Sequence, residues 1–379
     1  MPPWRDVRFL RILAQLLVLA GVAVGGGLLL LTLGENLRAS RLTFGFDFLN
    51  RTSGMEISQS PIPYSSTDTF ARAFAVGLLN TLLISVVGIV LATLLGIVVG
   101  VARLSTNWLV RNVAAGYVEV MRNTPLLVQL VLIVAVIRQL PGVVESISLP
   151  GSIYLNSRGL YFPRPELEPT FWLWLGVAGL AITAALLLRR VSNRRAEGRM
   201  RALLGSLTVA AAVVVIGVAW VALSPLAFDV PELQRFNFTG GVAVSPAFTA
   251  LLVGLVIYTA AFIGEVVRGG IQAVRRGQVE AAYAIGLTPG QTLRLIVFPQ
   301  ALRIIVPPLT SQYLNLTKNS SLALAVGYAD LFAIGRTMAN QTGQPLSVIV
   351  LVMAIYLSLS LFTSLVMNVY NRRVQVVEH

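Results

Sequence analysis

Few side chains in this sequence could carry covalent chemistry. Cysteine is absent and the single histidine is His379, the last residue. Thiolate nucleophiles, thiolate or imidazole metal sites and a Ser-His-Asp relay are therefore excluded. The one lysine, Lys318, follows no glycine-rich loop, and G-x-x-x-x-G-K-[ST] does not occur, so the chain cannot cradle a nucleoside triphosphate on a P-loop. What remains is the chemistry of charge in apolar surroundings. Glu119, Arg122, Glu265 and Arg268 stand at the edges of apolar runs, and Lys318 stands with Asn315, Asn319 and Ser320 inside one. Groups so placed are either paired for structure or set on a route for a polar solute.

The elements that must position them are membrane spans. Of 379 residues 56% are hydrophobic and only 12% charged, the balance of a polytopic membrane protein. An apolar run over about 12–33 would extend roughly 33 Å as a helix, enough for a hydrocarbon core of about 30 Å and longer than the apolar core of a cleaved signal peptide. Further runs begin near Ala73, Pro125, Phe171, Leu203, Ala247, Arg303 and Ser347, which predicts about eight spans in an all-α fold. Gly96 and Gly100 form a G-x-x-x-G face suited to close helix packing. Polar connections cover 34–72, 141–169, 231–245 and 328–345.

One connection is neither span nor loop. Gln278 to Pro299 reads as a helix stopped at Gly286, then a second helix capped by Thr288 with Pro289 at its first position and Gln291 completing a capping box. Glu280 is expected near the start of the first helix, where a carboxylate is favoured. Ala281 and Ala282 are expected to let a partner surface approach closely. With the start of the chain inside, nineteen arginines fall in inner connections and nine in outer ones. That asymmetry places this elbow and both termini in the cytoplasm. It also assigns the net charge of +13 to topology, so no nucleic acid is expected.

Glu280-Ala281-Ala282, Gly286, Ile296 and Pro299 fit EAA-x3-G-x9-I-x2-P, with Phe298 where leucine is usual. This resembles the cytoplasmic loop of binding-protein-dependent ABC importer permeases. Tyr117, Glu119, Arg122 and Pro125-Leu126-Leu127-Val128-Gln129 are similar to a signature of the polar amino-acid subgroup, as are Glu265 to Ile271, Pro299-Gln300-Ala301 and Leu316 to Leu322. Pro61 to Ser66 and Tyr154 to Leu160 look like the long, general L-amino acid type. The resemblance covers about 73–140 and 246–370, roughly half the chain.

The resemblance implies a type I ABC importer permease core with an N-terminal helix and an inserted helix pair, in the inner membrane. Its implied parts are 1–72 with the first helix and an outer segment, 73–140 as the first part of the core, 141–245 as the insertion, and 246–379 as the second part with a coupling loop over 269–302. Glu280, Ala281, Ala282, Gly286, Leu287 and Pro299 would form the contact with a separate ATPase. The chain itself would carry no cofactor, metal or catalytic residue; ATP and Mg would be held by two ATP-binding subunits. The other implied partners are a second, different permease chain and a soluble substrate-binding protein docking on 34–72 and 141–169, for uptake of L-amino acids. The role of Lys318 stays open: substrate recognition with Asn315, Asn319 and Ser320, an ion pair with Glu119 or Glu265, or simple exposure at an interface. Glu119, Arg122, Glu265 and Arg268 are expected to form structural ion pairs, Glu265 with Arg268 or Arg122. An ion-coupled secondary transporter is the alternative, in which intramembrane acids would couple an ion.

Overall fold

The computed structural model describes residues 7–39, 44–195 and 198–374. Arg5, residues 40–43, Glu197 and His379 lie outside them. Thirteen α-helices follow one another in the described residues. The first six are α1 (Val7–Ala39), α2 (Phe70–Ala102), α3 (Trp108–Asn123), α4 (Leu126–Arg138), α5 (Thr170–Arg195) and α6 (Gly198–Leu223). After them come α7 (Pro246–Gln272), α8 (Arg276–Ala284), α9 (Pro289–Thr292), α10 (Phe298–Asn319), α11 (Ala323–Val326), α12 (Leu331–Thr342) and α13 (Pro345–Val374). Seven helical segments, one of them the continuous run Pro289–Val326, are long and apolar enough to cross a membrane. An eighth crossing results if α3 and α4, bent by 107°, count together. The bend has a local cause: Thr124 precedes Pro125 and is extended, because the proline ring disfavours helical backbone before it. Gln129, buried, bridges the break by donating to the carbonyls of Met121 and Thr124.

By contact the chain divides into two units. One joins Met1–Leu130 to Leu251–His379. Its axis is α2, whose buried positions Ala73, Val76, Asn80, Ile84, Gly88, Ala92, Gly96 and Val99 recur every three or four residues. Gly96, Gly100 and Gly264 bring α2 and α7 together so closely that a Cβ on Gly100 would stand 2.7 Å from the Gly264 carbonyl. Within this unit the outer segment folds back onto the bundle: Phe48 and Met55 bury themselves among Phe70, Phe74, Leu331 and Met338. The stretch 328–345, read from sequence as a loop, contains α12. Asp330 caps its start and Gly343, left-handed at φ 65°, ends it. An amphipathic helix of 12 residues is too short to register as a span, which is why the hydropathy pattern passes over it.

The second unit is Val131–Ala250. Its helical pair α5 and α6 is joined by Trp174, which donates to the Ile216 carbonyl and meets the Trp220 ring edge-on at 5.0 Å. The two connections expected as loops form short strands: β1 (Ile147–Leu149), β2 (Ile153–Asn156), β3 (Gly159–Phe162), β4 (Arg164–Leu167), β5 (Leu226–Asp229), β6 (Glu232–Gln234), β7 (Asn237–Thr239) and β8 (Val242–Val244). They make an antiparallel sheet ordered β1-β2-β3-β8, a β4-β5 ribbon leaving the ends of the helical pair, and a β6-β7 hairpin. Phe238 sits 4.8 Å from Tyr154 and 4.7 Å from Tyr161, fastening the hairpin to the sheet. The arginine-rich stretch between the two spans is helical up to Arg195 and again from Gly198.

Candidate functional site

The elbow is built by two consecutive capping motifs. Helix α8 ends in a Schellman arrangement: the Leu287 N–H bonds the Ala282 carbonyl at 3.1 Å and the Gly286 N–H bonds that of Tyr283 at 2.9 Å. Gly286 takes φ 85°, the left-handed conformation a side chain would strain. Thr288 then caps α9, with Pro289 at the first position and the Gln291 side chain returning to the Thr288 N–H at 2.9 Å. Five residues of π-helix, Leu293–Val297, lead into α10. Val274, Val279 and Val297 pack this assembly against Ile263, Val267, Ala301 and Ile305 of the flanking helices.

Exposure sorts the residues of the elbow. Glu280, Ala281, Gly286 and Pro299 are exposed, Leu287 is half-buried and Ala282 is buried. Two expectations change. Ala282 faces inward, so its small size serves the packing of the elbow itself rather than a partner. Glu280 lies in the second turn of α8, since the helix starts at Arg276, beyond the first turn where the helix dipole favours a carboxylate. Its carboxylate makes no ion pair among the described residues. Tyr283 and Ile285 project from the same helix end, Ile285 at 77% exposure. Sequence reasoning missed them because it weighed the motif positions and not the residues between.

Behind the elbow, Glu265 is held from two sides. Arg268, one turn on, donates to both of its carboxylate oxygens, and Arg103 at the end of α2 donates to Oε2. Arg122 is elsewhere: its guanidinium lies 5.3 Å from the centre of the Phe262 ring, a cation–π contact. Glu119 is exposed and has no ion partner among the described residues. The pairing expected of Glu119 and Arg122 is thus absent; they stand at the exposed end of α3 rather than against a charged neighbour.

Lys318 makes no ion pair either, with Glu119, Glu265 or any other described acid. With Ser311 and Asn315 it forms an exposed polar stripe at helical spacing on α10. Asn319 is half-buried, and Ser320 is fully buried with its hydroxyl donating to the Thr317 carbonyl at 2.8 Å. The structure therefore separates Asn315 and Lys318 on the surface from Ser320 inside.

A buried polar cluster was not legible in the sequence. Asn80 donates to the carbonyls of Gln59 and Ala329, and Thr81 accepts from the Leu331 N–H. Asp330, fully buried, accepts from the Ala333 N–H at 2.8 Å and from the Tyr356 hydroxyl at 3.1 Å. Burial pushes its carboxyl up to about 6, and these hydrogen bonds oppose the rise. An acid raised in the folded state binds its proton more tightly there, so its contribution to stability is full below its ordinary value near 3.8 and declines as pH rises through about 6. Acidifying from pH 7 to 5 is expected to raise the thermal midpoint in detergent through a gain on the order of 1 kcal/mol. Asp330→Asn should lose that pH dependence; an Asn variant with the same pH response would contradict this. Among the described residues no group of three or more His, Asp or Glu side chains could hold a metal ion.

A bundle of apolar spans with a capped helical elbow between two of them defines a polytopic membrane protein. Residues 199–376 match the binding-protein-dependent transport system inner membrane component. The chain is 48% identical over 347 residues to the general L-amino acid transport system permease protein AapQ of Rhizobium johnstonii, covering 90% of this chain and 86% of that one. It is 42% identical over 410 aligned positions to the glutamate/glutamine/aspartate/asparagine transport system permease protein BztB of Rhodobacter capsulatus, covering 98% and 95%. The chain belongs to the family of binding-protein-dependent transport system inner membrane components.

Proposed function

We propose that this chain is the permease subunit of an ATP-driven importer of L-amino acids. Near full-length similarity to permeases of amino-acid transport carries the cargo reading. An ion-coupled mechanism finds no support among these relatives. The elbow, 269–302, supports the assignment of the motor contact: Glu280, Ala281, Gly286 and Pro299 are exposed on a rigid, doubly capped turn, with Leu287 half-buried and Ala282 holding it from within. Two ATP-binding subunits carrying ATP and Mg grip this surface from the cytoplasm, and a second, different permease chain completes the pathway. A soluble binding protein docks on the opposite side, on 34–72 and 141–169.

In this reading the N- and C-termini are cytoplasmic, and the arginine asymmetry of the connections supports that orientation. ATP binding closes the ATPase pair, the elbow moves with it, and the bundle alternates its opening between the two sides. The exposed stripe of Asn315 and Lys318 lies on the pathway, where an ammonium can hold a substrate carboxylate; Asn319 and Ser320 shape the helix end beside it. Affinity purification of the chain from its native membrane is expected to bring down an ATPase and a second permease. Proteoliposomes of that complex are expected to take up amino acids only with ATP inside and binding protein outside. Uptake by the chain alone, driven by an ion gradient, would refute the reading.

A further inference from the structure

The last turns of α7 lie between two other helices. On one side Gly96, Gly100 and Gly264 bring its backbone against α2; on the other a Cβ on Gly270 would fall 3.4 Å from the Ala301 carbonyl of α10. The α2 contact is made of glycine, alanine, valine and isoleucine, packed closely but without a directional bond. Directional, charge-assisted hydrogen bonds resist sliding and rotation. The structure has one such set here: Glu265 on α7 takes Arg103, the residue that ends α2, and Arg268, whose other nitrogen donates to Gln272 in the final turn of α7. All three side chains are largely buried, with 19% of Arg103 and 27% each of Glu265 and Arg268 exposed. The elbow helix α8 starts four residues beyond Gln272.

We infer that Glu265 is a positioning residue that ties the elbow to α2, so that movement imposed on α8 is passed through Arg103 into that helix. Helix α2 is continuous for 33 residues, about 50 Å as a rod. About six turns before Arg103, Asn80 and Thr81 hold the Gln59 carbonyl and the start of α12. The tie therefore connects the motor contact with the outer segment at Gln59 and with α12. This rests on the coupling role proposed for the elbow.

The test uses the whole complex in proteoliposomes, with permease pair, ATPase subunits and amino-acid-loaded binding protein, and measures amino acid imported per ATP hydrolysed. Glu265→Gln and Arg103→Gln are each expected to keep the ATPase bound on purification while lowering import per ATP about tenfold. The exchange Arg103→Glu with Glu265→Arg keeps an opposite-charge pair between α2 and α7 and is expected to recover at least half of the loss. A ratio within twofold of the unaltered protein in Glu265→Gln overturns the tie. So does loss of assembly in Glu265→Gln that the exchange fails to restore, because Glu265 then only holds the fold. The elbow variant Glu280→Ala with Gly286→Val is run beside them. Loss of uptake there with normal coupling in Glu265→Gln overturns the tie alone, whereas normal uptake in both overturns the coupling role itself.

Discussion

Replacing Glu280 and Gly286 together, by alanine and valine, is expected to abolish ATP-driven uptake while the chain still inserts and packs. At Gly286 the penalty is conformational: no atom lies within 4 Å of a Cβ built there, but φ is 85°. A side chain in that region costs about 1–2 kcal/mol, more for a β-branched residue, and the Schellman turn sets the direction in which the chain leaves α8 for α9. Glu280 contributes differently. Its exposed carboxylate has no ion partner within the described chain, so under the coupling role proposed for the elbow its loss would remove a contact to the ATPase and little within this chain. Gly286→Asn, which tolerates the left-handed conformation, should retain most of the uptake that Gly286→Val loses. The measurement is uptake into proteoliposomes alongside membrane yield; unchanged uptake in the double variant would remove the elbow from the mechanism.

Substituting Gly100 by valine is expected to have a large effect on folding. A Cβ at this position meets the Gly264 carbonyl at 2.7 Å and the Val267 Cβ and Cγ1 at 2.8 Å, and one at Gly96 meets the Ile263 Cβ at 2.6 Å. These are backbone and branched-carbon contacts with no flexible end to move aside. Overpacking of this kind costs about 1–3 kcal/mol for one inserted group, and valine inserts three carbons. The helices must part, and Arg103 then leaves Glu265. The yield of monodisperse protein and the thermal midpoint should fall for Gly100→Val, less for Gly100→Ala. Gly116, where a Cβ meets nothing within 4 Å, should accept alanine unchanged. Equal stability of Gly100→Val and Gly116→Ala would show that the close approach carries no weight.

What the sequence by itself determined is whatever depends on neighbours along the chain. The spans follow from apolar runs, since a helix must satisfy its own backbone in lipid. The turn at Gly286 and the box at Thr288 and Gln291 follow from residues at most five positions apart, and the family follows from the motif built on them. Short amphipathic and extended pieces were less legible: α12 and the strands of 147–244 lack the length that makes a pattern stand out. Only the tertiary structure decided which side chains meet. It turned Ala282 inward, left Lys318 and Glu119 without ion partners among the described residues, laid Arg122 on Phe262 and gave Glu265 to Arg103 across 162 positions of sequence. It also buried Asp330 against Tyr356 and the neighbouring helices. The reason is physical: a charge in an apolar setting is stabilised by whichever group the packing brings within hydrogen-bond reach, and packing is set by glycines on helices far apart in the chain.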